Sequence, residues 1–180
     1  PGLDTMSILE AAKAGDIKAL VLTGTDPVRD CPNPQLASEA LEVVDFVLAF
    51  DSFVTDSSRY ADLILPAAVW GEVSGLVTNL EGRVQAVHRA LPSRGQARSV
   101  TFTLNDIASA MGADLNAFDV AAVTKEISTV APVYAGVTID HLTFATDGTG
   151  IVVPMEGATQ PLGYIPTDMS VPVVTDRFTL

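Results

Sequence analysis

Cysteine is almost absent from this sequence: Cys31 stands alone among 180 residues. One thiol cannot close a disulfide within the chain, nor supply the several thiolates of an iron–sulfur cluster. Histidine is scarce too. His88 and His141 lie far apart in sequence and Cys31 is near neither, so the tight ligand spacing of a transition-metal site is missing. Cations are outnumbered, with 10 Lys and Arg against 22 Asp and Glu and a formal net charge of -12. Nucleic acid and anionic membrane surfaces are poor partners for such a chain, because phosphate binding depends on clustered cations that release counterions. No apolar run approaches the roughly 20 residues needed to cross a bilayer, and "PGLDTMSILEAAKAGD" has neither the basic flank nor the apolar centre of a secretory leader. The expectation is a soluble chain without direct membrane insertion, in a reducing, cytoplasmic setting. Its start at Pro1 rather than methionine points to a fragment of a longer protein.

What is present is a large apolar fraction, 48%, enough for a buried core. "TMSILEAAKAG" reads as a helix with Ser7 and Glu10 as a capping box and Gly15 as the stop. "ALVLTG" is a short continuous apolar run of the kind buried on both faces of a parallel sheet. A loop leads to a helix predicted over 35–44, then to the strand "FVLAFD", the short helix "TDSSRYA" and the strand "DLILPAA", broken at Pro66. Strands joined by helical crossovers predict an α/β fold, a layered parallel or mixed sheet with flanking helices. Ligands of such sheets gather beyond the carboxyl ends of the strands, here the loops at Gly24, Asp51 and Pro66.

A further helix is expected at about 104–111, with Asn105 or Thr103 near its start and Gly112 at its end. Beyond Ala113 the chain is rich in Val, Thr, Ala and Pro, which predicts short strands or an extended tail. The division drawn is residues 1–112 as an α/β domain fragment and 113–180 as an irregular, short-strand extension.

Few motifs carry chemistry by themselves. "GEVSG" puts its serine one position too late for a nucleophile elbow, so Ser74 reads as a turn residue. "LTGTDPVRDCPN" could bring backbone N–H groups to an anion, yet lacks the further glycines of a dinucleotide fingerprint. In "DGTGIVV" the glycines precede a strand, the wrong order for a phosphate cradle. Between Gly82 and Asn105 there is no acid, while Arg83, Arg89, Arg94, Arg98 and His88 make a local cationic segment. It suits an acidic partner surface, an anionic cofactor or a solvated face equally well. Trp70 reads as a core or interface anchor.

The wording adds more. "VLTGTDPV" followed by "FDSFVTDSSRYADLILPAAVWGEVSGLVTNLEGRVQ" resembles the molybdopterin oxidoreductase superfamily, in which an "ADxxLP" strand leads to a "G-x-x-x-N-x-EGR-x-Q" turn. Ala61, Asp62, Leu65, Pro66, Glu72, Gly75, Thr78, Asn79, Glu81, Gly82, Arg83 and Gln85 carry that pattern here. The later "PVYAGVTIDHL" and "GTGIVVP" resemble formate-dehydrogenase-like members. Within the superfamily the wording is most like the carboxyl-terminal part of the large iron–sulfur subunit of bacterial NADH-quinone oxidoreductase, respiratory complex I.

That resemblance implies an architectural piece with no catalytic residue, cofactor or metal of its own. Iron–sulfur clusters would lie in the missing amino-terminal part. The partners would be other peripheral-arm subunits, including the NADH-binding flavoprotein, on the cytoplasmic face of the plasma membrane. Asp62, Pro66, Gly75, Asn79, Glu81, Gly82 and Arg83 would form a structural motif, with Arg83 pairing Glu81 or another carboxylate, and Gly75 and Gly82 in conformations that a β-carbon opposes. Gln96, and the absence of a tryptophan in "SVTFTLNDIASAMG", depart from the family pattern and argue against an intact dinucleotide pocket. The alternatives are part of a molybdenum oxidoreductase such as formate dehydrogenase, with Gly24, Asp26, Pro27 and Asp51 near a molybdopterin guanine dinucleotide, or a free-standing α/β module binding a small anion at Gly24.

Overall fold

The computed structural model describes residues 2–145 and 149–153. Helix α1 (Thr5–Lys13) begins at Asp4, whose carboxylate accepts from the Ser7 N–H at 3.0 Å and the Ser7 hydroxyl at 2.9 Å. The cap is therefore Asp4, and Ser7 is the residue it captures. Gly15, at φ 84°, ends the helix as expected. Strand β1 (Ala19–Thr23), the short helix α2 (Pro27–Asp30), helix α3 (Pro34–Val43) and strand β2 (Phe46–Asp51) follow. Asn33 caps α3 by accepting from the Leu36 N–H at 3.0 Å, with Pro34 pre-set in the first turn. A 3-10 turn (Ser57–Tyr60) then leads to strand β3 (Leu63–Pro66).

These strands form one parallel sheet in the order β1-β2-β3. On one face α1 and α3 close over Leu22, Val47 and Ala49 through Leu9, Leu36, Leu41 and the fully buried Ala12, Ala37 and Ala40. The alanines keep side-chain volume small where helix meets sheet. On the other face Val21 remains 50% exposed. Burial of β1 on both faces is thus not observed. It is an edge strand, and the doubly buried strand is the central β2, with Val47, Leu48, Ala49 and Phe50 all buried.

A second sheet, antiparallel, has the order β4-β5-β6, from β4 (Gly75–Thr78), β5 (Arg83–Val87) and β6 (Ile151–Val152). Helices α4 (Val100–Ala110), α5 (Val120–Val130) and α6 (Ile139–Ala145) lie between β5 and β6 in the chain. Helix α4 starts four residues before its expected position because Ser99 begins it and the β-branched Val100, Thr101 and Thr103 weaken its propensity signal. Asn105 sits inside the helix, buried, and accepts from the Ala117 N–H at 3.1 Å. Residues after Ala113 are more helical than their proline spacing implies, since α5 ends just before Pro132. They pack back onto the hairpin, where Val84, Val137, Leu142 and Val153 form a second core. The stretch 154–180 lies outside the described residues. The two sheets are tied where the Arg98 N–H donates to Pro66 O at 3.2 Å and the Ala68 N–H donates to Arg98 O at 2.9 Å.

Candidate functional site

The carboxyl rim of the parallel sheet brings the Gly24, Asp51 and Pro66 loops together, as a parallel sheet requires. The Gly24 N–H donates to Phe50 O at 2.9 Å, and the Ala67 N–H to Asp51 O at 3.0 Å. Gly24 itself has φ 58°, a left-handed turn that glycine tolerates. Next, Asp26 reaches across to the 3-10 turn and accepts from the Ser57 N–H at 3.0 Å, the Ser57 hydroxyl and the Asp56 N–H at 3.4 Å. The Ser57 oxygen in turn accepts from the Val28 N–H at 2.8 Å, one residue beyond the buried Pro27. Partial burial pushes the Asp26 carboxyl up, but the hydrogen bonds from Ser57, Asp56 and Arg29 outweigh it and hold the group below its ordinary value of 3.8.

Asp51 closes its own loop. Its Oδ1 accepts from the N–H groups of Ser52 at 2.8 Å and Phe53 at 3.3 Å, and its Oδ2 from the Thr55 hydroxyl at 3.2 Å. Ser57 and Ser58 are fully buried behind this rim and join the loops. "TDSSRYA" was legible only as a capped turn; buried hydroxyls in a polar segment leave no periodic trace.

The long motif does not assemble into one site. Asp62 stands at the opposite rim, where its Oδ2 accepts from the Val47 N–H at 2.8 Å while its own N–H donates to Val47 O at 2.9 Å. It pins β3 to β2. Glu72 folds back to accept from the Val69 N–H at 3.2 Å, and the Ser74 hydroxyl oxygen accepts from the Arg89 N–H at 2.9 Å.

Asn79, Glu81, Gly82 and Arg83 form the β4–β5 hairpin turn. Asn79 Oδ1 accepts from the N–H groups of Glu81 and Arg83, both at 2.9 Å, and Gly82 takes φ 77°. Gly75 has no positive φ and open space where a β-carbon would point, so the expected constraint holds at Gly82 and not at Gly75. Arg83 pairs with neither Glu81 nor another carboxylate; its guanidinium donates to Thr149 O at 3.2 Å. The reason is geometric, since Glu81 is at the exposed tip and Arg83 already belongs to β5. Trp70 is 80% exposed and is not a core anchor. Among the described residues, no three His, Cys, Asp or Glu side chains gather as a metal ion would need.

Comparison with known proteins gives the arrangement its context. The family model for molybdopterin oxidoreductases matches residues 1–110. The chain is 35% identical over 134 residues to the alpha subunit of a formate dehydrogenase of Methanococcus maripaludis, covering 73% of this chain and 20% of that protein. It is 32% identical over 142 residues to an NADH-quinone oxidoreductase subunit of Rhizobium meliloti, covering 79% of this chain and 17% of that one. It therefore spans a fifth or less of those relatives. The solved structure of acetylene hydratase from Pelobacter acetylenicus shares the fold, with a TM-score of 0.58 and 20% identity over 74% of this chain and 18% of that one. The match over more than half of its length identifies this chain as a member of the molybdopterin oxidoreductase family.

Proposed function

We propose that this chain is a structural, carboxyl-terminal portion of the large iron–sulfur subunit of an NADH-quinone oxidoreductase, supporting electron transfer from NADH to quinone without holding a redox centre. The observation that carries this reading is how the carboxyl-rim loops spend their polar groups. The pyrophosphate of a guanine dinucleotide needs N–H donors and tolerates carboxylates poorly. Here the Gly24 N–H is committed to Phe50 O and the Asp26 N–H to the Asp30 carboxylate, while Asp26 and Asp51 place negative charge among the loops. These residues do not fit a pyrophosphate. They fit a rim whose carboxylates hold its own loops in place. Similarity to the Rhizobium NADH-quinone oxidoreductase subunit supports the assignment, with iron–sulfur clusters elsewhere in the longer polypeptide, a flavoprotein among the partners and a location on the cytoplasmic face of the membrane.

A second reading is favoured by the similarity to the Methanococcus formate dehydrogenase subunit. There Gly24, Asp26, Pro27 and Asp51 would lie near the guanine end of the dinucleotide, whose ring N–H groups a carboxylate can accept. Elemental analysis of the natively purified full-length protein, with co-purifying subunits identified by mass, separates the two. The expected result is iron without molybdenum beside a flavoprotein. About one molybdenum per chain would overturn the structural reading.

A further inference from the structure

Trp70 is a large apolar side chain that the described fold leaves unused. It opens the 3-10 turn Trp70–Glu72, on the side of the β4–β5 hairpin opposite the Leu142 core. Strand alternation sends Leu76 and Ala86 into that core and leaves Val77 outside, 55% exposed. Trp70, Val73 and Val77 line one open depression of about 620 Å³. Backbone pairing extends the patch: the Ala90 and Leu91 N–H groups both donate to Gly71 O at 3.0 Å, which brings Leu91, 58% exposed, beside the turn. Single exposed apolar residues are ordinary, whereas a contiguous group built around an indole marks a contact surface.

The rim of this patch is cationic. Arg89 is fixed next to it through Ser74, and His88, Arg89 and Arg94 are all solvent-accessible. Among the described residues neither Arg89 nor Arg94 has a carboxylate partner, although Arg98 is paired with Asp106 at 2.7 Å. On a chain of net charge -12, two guanidinium groups left without acids beside an exposed Trp make the local field opposite to that of the molecule. Trp and Arg at an apolar centre with a polar rim is the composition of protein interface hot spots.

We propose that this face docks a partner subunit whose surface is acidic and offers an apolar recess to the Trp70 indole. A second copy of the chain fits less well, because two molecules of the same strong charge repel. The proposal holds under either reading of the parent enzyme.

The test uses the full-length protein isolated with its co-purifying subunits. With a photoreactive benzophenone amino acid at position 70, cross-links are expected into an Asp- and Glu-rich segment of a different subunit. Cross-links confined to the same polypeptide, or to a second copy, would overturn the proposal. Trp70→Ala and Arg94→Glu are both surface changes that break no side-chain hydrogen bond of the described structure. Each is expected to weaken association with that subunit at least tenfold, and Arg94→Glu to flatten its salt dependence as well. Unchanged affinity in both variants would also overturn it.

Discussion

At the scale of single residues, the acids that look like site residues act as structural clamps. Asp62 satisfies the Val47 N–H, which sits on a strand residue only 1% exposed and would otherwise lack a partner at the start of β2. Asp26 does the same for the Ser57 turn. Because the folded Asp26 carboxyl titrates below 3.8, its stabilising effect is fully present above the unfolded value and is lost as the pH falls through the folded one. Amide protection at Val28 and Ser57 is accordingly expected to hold from neutral pH to about pH 5, then to decline below it. In Asp26→Asn that acid-dependent step should vanish. Hydrogen exchange followed across this range checks it, and identical profiles for the two proteins would show that Asp26 is not the titrating clamp.

At the scale of elements, the hairpin β4–β5 is the part best explained by its residues. Asn79 makes the turn, Gly82 supplies the left-handed position, and the exposed Leu80 and Glu81 occupy the tip. The approach of β6 depends on a different glycine. Gly150 has φ 80°, and a β-carbon there would meet Val84 O at 2.3 Å, far inside contact distance. Gly150→Ala should destabilise the protein by about 1 to 3 kcal/mol through overpacking and the unfavourable φ. Gly75→Ala, in open space, should be near neutral. Chemical denaturation of both variants distinguishes them, and equal effects would remove the packing argument. "DGTGIVV" thus has a steric role, where its spacing had shown only that it was no phosphate cradle.

At the scale of the whole molecule, two cores are built by two different rules. One is a parallel sheet under helices, held by Leu9, Leu41, Val47 and the buried alanines; the other is a hairpin covered by later segments through Val84, Val137 and Leu142. Strand-like pairing of Ala67 with Arg98 links their surroundings. Leu142 is 1% exposed, so Leu142→Ala should cost about 2 to 5 kcal/mol by leaving a cavity. Amide protection is expected to fall along β4 and β5 while β1 and β2 keep theirs. If all strands lost protection together, the two cores would be one cooperative unit.

The sequence by itself determined the parallel α/β half: apolar runs of strand length, a capped helix between them and glycine at the turns are local signals, and local physics suffices to produce them. It also determined the family, through a long motif in which Asp62, Glu72, Asn79 and Gly82 each have a backbone task. Only the tertiary structure decided where those tasks lie. Asp62, Glu72 and Asn79 are close in sequence, yet they serve a sheet rim, a 3-10 turn and a hairpin tip. The pairing of Arg83 with Thr149 O and the contact of Gly150 with Val84 join positions far apart in the chain. No periodicity encodes such contacts, because they exist only after the intervening helices have folded back. The same holds for Trp70: its composition marks it as an anchor, but whether it anchors a core or a surface depends on which side of the hairpin the later segments cover.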